Sequence, residues 1–286
     1  MTTAKRRIFH LSDIHFGLEN NRALDWVARE IAETRPDAVA ITGDLTMRAR
    51  RREFAAATAW INDLAAPVTV EVGNHDMPYF NPVERFFAPY RRFRGMEGKV
   101  EREIDLGALA IVPLKTAVRA QPRLNWSKGW VTRAALRRCL AAIDALPRGV
   151  RALVTAHHPL REVGTQGTAL THGGEEALRE LARRPVAAVL SGHVHDAFDI
   201  AEPTAHGPVR MIGAGTLSQR TRSTPPSFNE IVWDGETLEV CVRNLADVDT
   251  TAMQIDDVPE NALPPRQPGE PVAPIGQVPR TDPPVH

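Results

Sequence analysis

Cysteine is scarce: Cys139 and Cys241 are the only two in 286 residues, and they form no C-x-x-C pair. That excludes a disulfide framework and a thiolate zinc site, so any metal must be held by nitrogen and oxygen. An excess of charge is also missing, since 35 Lys and Arg stand against 35 Asp and Glu. A protein that lives on long nucleic acid draws much of its affinity from neutralised phosphates and carries a basic excess, so a general polyanion binder is not expected. Long apolar runs are absent too. Behind Lys5-Arg6-Arg7 the apolar stretch is broken by Ser12, Asp13 and His15, which leaves no signal-peptide core and no integral membrane segment. A cytoplasmic protein is the resulting expectation. What the chain does have is 43% hydrophobic residues, enough for a sizeable core, and ten histidines, several of them clustered.

The first 75 residues alternate between two periodicities. Ile8–Leu11, Ala38–Thr42 and Val68–Val72 are short apolar runs, whereas Arg22–Thr34 and Arg51–Leu64 place apolar residues at helical spacing. Strand, helix, strand, helix, strand implies right-handed crossovers and a largely parallel sheet. Lys99–Leu106 and Ala108–Val112, separated by Gly107, read as an antiparallel hairpin. A helix is expected over Thr132–Leu146 and another over Gly174–Arg184, lying between the buried runs Ala152–Thr155 and Val186–Leu190. After Val209–Ile212, Asp234-Gly235 joins Asn229–Trp233 to Thr237–Val242 in a second hairpin. The main domain spans about 1–250. Residues 256–286 hold 9 of the 23 prolines and few large apolar side chains, the composition of a disordered tail.

Five buried runs end alike, with an acid, amide or imidazole following at once. Ile8–Leu11 leads to Asp13 and His15, Ala38–Thr42 to Asp44, and Val68–Val72 to Asn74 and His75. Ala152–Thr155 leads to His157, and Val186–Leu190 to His193 and His195. In open α/β sheets ligands bind beyond the carboxyl ends of the strands, so these residues are expected to converge. The i, i+2 pairs Asp13/His15 and His193/His195, on extended backbone, would each share one face. Two aspartates, an asparagine and four histidines exceed the needs of one tetrahedral ion and suit divalent Mn, Fe or Zn. Two ions sharing a ligand is the economical reading, with Asp44 the natural bridge because a carboxylate has two oxygens to share.

Asp13-Ile14-His15, Gly43-Asp44, Gly73-Asn74-His75-Asp76, His157-His158-Pro159 and Gly192-His193-Val194-His195 occur in the order found in the calcineurin-like metallophosphoesterases. The resemblance covers roughly residues 7–245. The chain looks most like the bacterial branch of class III cyclic-nucleotide phosphodiesterases and glycerophosphodiesterases. It lacks the Gly-Asp-x-x-Asp-Arg-Gly and Gly-Asn-His-Glu of Ser/Thr protein phosphatases. The resemblance implies a four-layer α-β-β-α sandwich of two mixed sheets. It also implies one metal on Asp13, His15, Asp44 and His195, and another on Asp44, Asn74, His157 and His193, with His157 favoured over His158. His75 would stand over the phosphate as general acid or charge stabiliser, with Asp76 orienting it.

The expected activity is therefore hydrolysis of a small phosphodiester, 3′,5′-cyclic nucleotides among the candidates, by a metal-activated hydroxide. A pyrophosphohydrolase of a UDP-linked lipid, with residues 78–99 and 115–131 shaping a cap, and a phosphomonoesterase are the alternatives. A non-catalytic scaffold should have lost ligands, and here every matched position is filled. A nuclease is disfavoured by the neutral charge, and two metals would supply positive charge without a basic surface. Arg48 and Arg50–Arg52 read as a solvated helix start rather than phosphate donors, and Lys115 and Thr116 as equally pocket or loop. His172 and His206 read as surface residues, Trp126 and Trp130 as core anchors, and Cys139 as a small buried residue.

Overall fold

The computed structural model describes residues 5–247. The expected boundary near residue 250 and the proline-rich segment 256–286 lie outside them. The apolar run behind the basic N-terminal residues forms β1 (Arg6–Leu11), and helix α1 (Asn21–Thr34) follows with the Asn20 side chain accepting from the Ala23 N–H as its N-cap. Then come β2 (Ala38–Ile41), α2 (Arg51–Asn62) and β3 (Val68–Val70). β1, β2 and β3 pair in parallel as expected of helical crossovers. β9 (Ser227–Trp233) and β10 (Leu238–Asn244) form the hairpin marked by Asp234-Gly235 and add to β1 antiparallel, giving the order β10-β9-β1-β2-β3.

The second sheet has the order β4-β5-β6-β8-β7, built from β4 (Leu109–Pro113), β5 (Arg151–Thr155), β6 (Val186–Ser191), β7 (Phe198–Glu202) and β8 (Val209–Gly213). Helix α5 (Arg133–Asp144), capped by Thr132, and α6 (Gly174–Leu181) connect its parallel strands. Of the hairpin expected over 99–112, only a single antiparallel bridge, Leu106 to Leu109 around Gly107, forms. Two helices, α3 (Pro82–Phe87) and α4 (Arg91–Val100), occupy the stretch before it, with Asn81 capping α3. β4 then pairs parallel with β5, because Phe93, Met96 and Val100 bury at helical spacing against β3 and α2.

Period-2 alternation explains the layering. On β1, Ile8 faces one way and Phe9 and Leu11 the other; on β2, Ala38 and Ala40 oppose Val39 and Ile41. Ile8, Ala38 and Ala40 meet Leu153, Ala188, Leu190 and Ile212 of the second sheet and form the core between the sheets. The opposite faces pack on α1, α2 and α4 in one case, and on α5 and α6 in the other. The result is two mixed five-stranded sheets between helical layers, the four-layer α-β-β-α sandwich expected. Among the described residues no helix is long and apolar enough to cross a membrane.

Candidate metal centre

The carboxyl ends of β1, β2 and β3 face those of β5, β6 and β8 along one edge of the sandwich, and the polar residues following them meet there. They do not arrive on extended backbone. Asp13, His15, Asp44, His193 and His195 all have φ between 51° and 69°, the left-handed region that non-glycine residues rarely enter. Tight turns, rather than the i, i+2 geometry of a strand, therefore aim these side chains. The turns are tied across strands: Asp13 N donates to Gly43 O and His15 N to Asp44 O. Gly192 is required by close approach, because a Cβ there would sit 1.7 Å from Ser12 Oγ.

Asp13 spends one carboxylate oxygen on the scaffold and keeps the other free. Oδ2 accepts from Ser12 Oγ and His193 N, each at 2.7 Å. Oδ1 is buried and accepts no hydrogen bond, yet lies 3.1 Å from His195 Nε2 and 3.6 Å from His15 Nε2. Those two imidazole nitrogens are themselves 3.2 Å apart. His195 donates Nδ1–H to Arg220 O at 2.6 Å, which turns the lone pair of Nε2 toward the cluster. Lone pairs converging on one point in a dry site repel unless a cation sits among them.

Asp44 divides its oxygens in the same way. Oδ1 accepts from His75 N at 2.8 Å, while Oδ2 lies 3.3 Å from His157 Nε2 and 3.8 Å from His15 Nε2, between the two groups of imidazoles. His157 donates Nδ1–H to Thr42 O at 2.8 Å and points Nε2 at Asn74 Oδ1, 3.1 Å away. Burial by itself would raise the carboxyl pKa values of Asp13 and Asp44, but the surrounding imidazoles outweigh it and hold both below the usual carboxylate range. Burial opposes charge on His157 as well, and the Asp44 carboxylate overcomes it, raising His157 to about 10. The potential at Nε2 thus favours positive charge.

His193 falls away from His195 and toward His157 and His158, its ring 5.3 Å and 4.4 Å from theirs. His158 has both nitrogens engaged, Nδ1 with Thr116 Oγ1 at 2.9 Å and Nε2 with Ser127 O at 2.8 Å, so no lone pair remains for a metal. His10, likewise buried, is held by Thr42 and Asn229. The clusters Asp13/His15/His195, Asp13/Asp44/His157, His15/Asp44/His75 and His157/His158/His193 each bring nitrogen or oxygen atoms within 4.8 Å of one another, although in the last His158 is already engaged by Thr116 and Ser127. These His and Asp clusters fit a dinuclear metal centre, and the free Asp13 Oδ1 is the observation that tests the fit.

Asp76 does not orient His75. Its carboxylate accepts from Leu45 N, Thr46 N, Thr46 Oγ1 and Gly73 N, and so ties the turn after β2 to the turn after β3. Burial, then the charge of Asp44, raises its pKa to about 6. The His75 ring is instead held by Met47 O, 2.7 Å from Nδ1, with Nε2 directed to the pocket. There it meets Arg220 Nη1 at 3.3 Å, and the same Nη1 lies 3.4 Å from His15 Nε2. Arg220 is the residue that sequence reasoning missed. Its signal was available: β8 is a parallel neighbour of β6, so its carboxyl end feeds the same edge as the other five.

Of the remaining candidates, Arg48 is exposed over the Phe80 ring and Arg50 caps α2, away from the site. Lys115 lies over the Tyr90 ring and Thr116 supports His158. His172 and His206 are exposed. Trp126 is not a core anchor; it is 37% exposed and lines a cavity of about 610 Å³ with Tyr79, Leu124 and His75. Loop 124–127 is held by turns of its own, Ser127 N donating to Asn125 Oδ1, which leaves the indole at the surface. Trp130 is half-buried against His172. Cys139 is buried in α5, and burial pushes its thiol up to about 12, an unreactive state.

Two facing sheets whose strand ends deliver carboxylates, imidazoles and an amide to one buried point define a metal-centred α/β sandwich. The sequence over residues 6–197 matches the calcineurin-like phosphoesterase family, and the chain belongs to that family, whose members hydrolyse phosphate esters. No curated protein gives a significant match. Among solved structures, a dimetal phosphatase from Danio rerio is similar at 14% identity and a TM-score of 0.58, covering 82% of this chain and 98% of its own. A purple acid phosphatase from yellow lupin seeds is similar at 14% identity and a TM-score of 0.59, covering 86% of this chain and 52% of its own. PhoD is similar at 9% identity and 0.62, covering 85% and 69%. At such identities the likeness is one of fold.

Proposed function

We propose that the chain is a dimetal phosphodiesterase, with Asp13, His15, Asp44 and His195 holding one divalent ion and Asp44, Asn74, His157 and His193 the other. The carrying observation is Asp44 Oδ2, free of hydrogen bonds to the scaffold and placed between imidazoles of both sets. When bound, Mn, Fe or Zn ions would lower the pKa of water to make hydroxide at neutral pH and would neutralise the phosphoryl group for in-line attack. Asn74 contributes a neutral oxygen, which keeps negative charge low where a phosphate must dock. His75 and Arg220 face the same space, one able to pass a proton at Nε2 and the other a permanent charge, and so serve the leaving oxygen and a phosphoryl oxygen respectively.

Two cavities meeting at Asn74, His75 and Ser127 support a substrate with two substituents on phosphorus. Small diesters, 3′,5′-cyclic nucleotides among them, are the substrates to try first. Manganese-loaded protein is expected to hydrolyse bis(p-nitrophenyl) phosphate, and Asn74→Ala to abolish most of that rate. Absent turnover, or an Asn74→Ala variant as fast as the parent, would overturn the assignment.

A second reading, hydrolysis of a phosphate ester or pyrophosphate bearing a lipid, is favoured by one observation. Tyr79 and Leu124, which line the larger cavity, and Phe80 and Phe86, which pack against Tyr79 and the cavity-lining Trp126, are all exposed. Side-by-side rates on cyclic AMP, a UDP-linked lipid and p-nitrophenyl phosphate separate the two.

A further inference from the structure

The smaller of the two cavities, about 210 Å³, lies directly over the imidazoles of His193 and His195. Three cations, Lys128, Arg220 and Arg222, line it, and its only carboxylate is that of Asp44. Their environments differ. Arg220 is aimed at the metal centre, 3.3 Å from His75 Nε2. Lys128 Nζ donates to the carbonyl and hydroxyl oxygens of Thr168, which also lines the cavity. Arg222 makes no hydrogen bond or ion pair among the described residues.

Like charges gathered in a small cavity repel one another. Partial burial, together with the charges of Arg123 and Arg222, disfavours the Lys128 ammonium, and Glu162 is the nearby charge that opposes this. A single phosphoryl anion held by two metals and Arg220 would leave Arg222 unmatched and Lys128 answered only by Glu162. Gln166 and Thr168 complete the wall with neutral polar groups, and no large apolar side chain lines this cavity.

Resting on the reading of the metal centre given above, we propose that Lys128 and Arg222 form a second anion subsite. The preferred phosphoester then carries another negative group, a carboxylate or phosphate, on the substituent that projects toward Gln166–Thr168. The other substituent occupies the larger cavity beside Tyr79 and Trp126. This assigns the two sides of the substrate opposite chemistry, one anionic and one able to lie on aromatic surface.

Two diesters with one leaving group test this on the manganese-loaded full chain: p-nitrophenyl methyl phosphate and p-nitrophenyl 2-carboxyethyl phosphate. The carboxyethyl ester is expected to show a kcat/KM about tenfold higher, the scale of one charged hydrogen bond, expressed mainly in KM. Arg222→Gln should bring the ratio close to one, and Arg222→Lys should restore most of it. A ratio near one in the parent chain, or one that Arg222→Gln leaves unchanged, overturns the subsite while leaving diester hydrolysis intact. If neither diester turns over, the diesterase reading is what fails. Calorimetry then decides the subsite: 2-carboxyethyl phosphate binding about tenfold tighter than methyl phosphate, with the difference lost in Arg222→Gln, supports it, and equal affinities overturn it.

Discussion

Asp44 joins the roles that several other residues share out. Its Oδ1 fixes the backbone of His75 while its Oδ2 stands open to imidazoles on both sides. Asp44→Asn is expected to lower the count of bound divalent ions, read by elemental analysis, and to cut turnover by more than about 10²-fold, on the scale lost when a metal site no longer supplies its nucleophile. His75→Ala is a different case, because its Nδ1 is engaged by Met47 O and its Nε2 faces Arg220. Metal content should stay at the parent value while kcat falls by about 10²–10⁴-fold, the usual worth of a positioned proton donor. Glu71, buried just after β3, gives a pH signature in the metal-stripped chain. Burial, opposed by the Val72 N–H and by Lys115, raises its pKa to about 7 from 4.5. Below pH 4.5 both folded and unfolded chains hold the proton. As pH rises from 4.5 to 7 the unfolded chain releases it first, so stability is lost across that window, by at most about 3 kcal/mol. Glu71→Gln should therefore raise the melting temperature at pH 8 and leave it nearly unchanged at pH 4.5; equal shifts at both values would contradict the assignment.

The elements differ in how readily they can be read from the chain. Helices α1 and α5 are legible because capping residues and apolar spacing agree, Asn20 and Thr132 both accepting from the backbone three residues on, whereas α2 is legible from apolar spacing alone. Thr132→Ala should cost about 1 kcal/mol in denaturant unfolding. The 99–112 segment misleads for a physical reason. Gly107 does sit in a left-handed turn, at φ 65°, but Lys99 and Val100 belong to α4 and Glu101 bridges in parallel to Val68, so only Leu106 is left to pair back across the turn, with Leu109. The strand-end turns are harder still. Their left-handed Asp and His residues have no local sequence signal, since the conformation is imposed by cross-strand bonds such as His15 N to Asp44 O. Gly73 supports one of these turns, where a Cβ would come 2.1 Å from Asp44 Oδ1. Gly73→Ala should thus disturb Asp44 and weaken metal binding more than it lowers overall stability.

At the scale of the molecule, two sheets contribute unequal chemistry to one edge. The first supplies both aspartates and the asparagine, whereas the second supplies His157, His193 and His195 and, after β8, Arg220. The convergence was legible because strand ends share an edge whatever their separation in sequence. The division of His193 from His195 came from the family resemblance and not from their spacing, while the diversion of Asp76 to loop bracing and the arrival of Arg220 were not legible, since each depends on turn geometry. Neutral net charge also concealed a local cationic pocket at Lys128, Arg220 and Arg222. Because ligands come from both sheets, ions that bind only the folded chain should stabilise the whole. At an ion concentration about 100 times Kd the gain is about 2.7 kcal/mol, or on the order of 5–10 °C in melting temperature, and a chelator should remove it.

The central claim is that seven side chains from two sheets hold two divalent ions. Equilibrium titration of the metal-stripped chain with manganese, counted as ions bound per chain, tests it most directly. Two ions per chain, falling to one or fewer in Asp44→Asn, is the predicted result; saturation at one ion or none in the parent chain would contradict it.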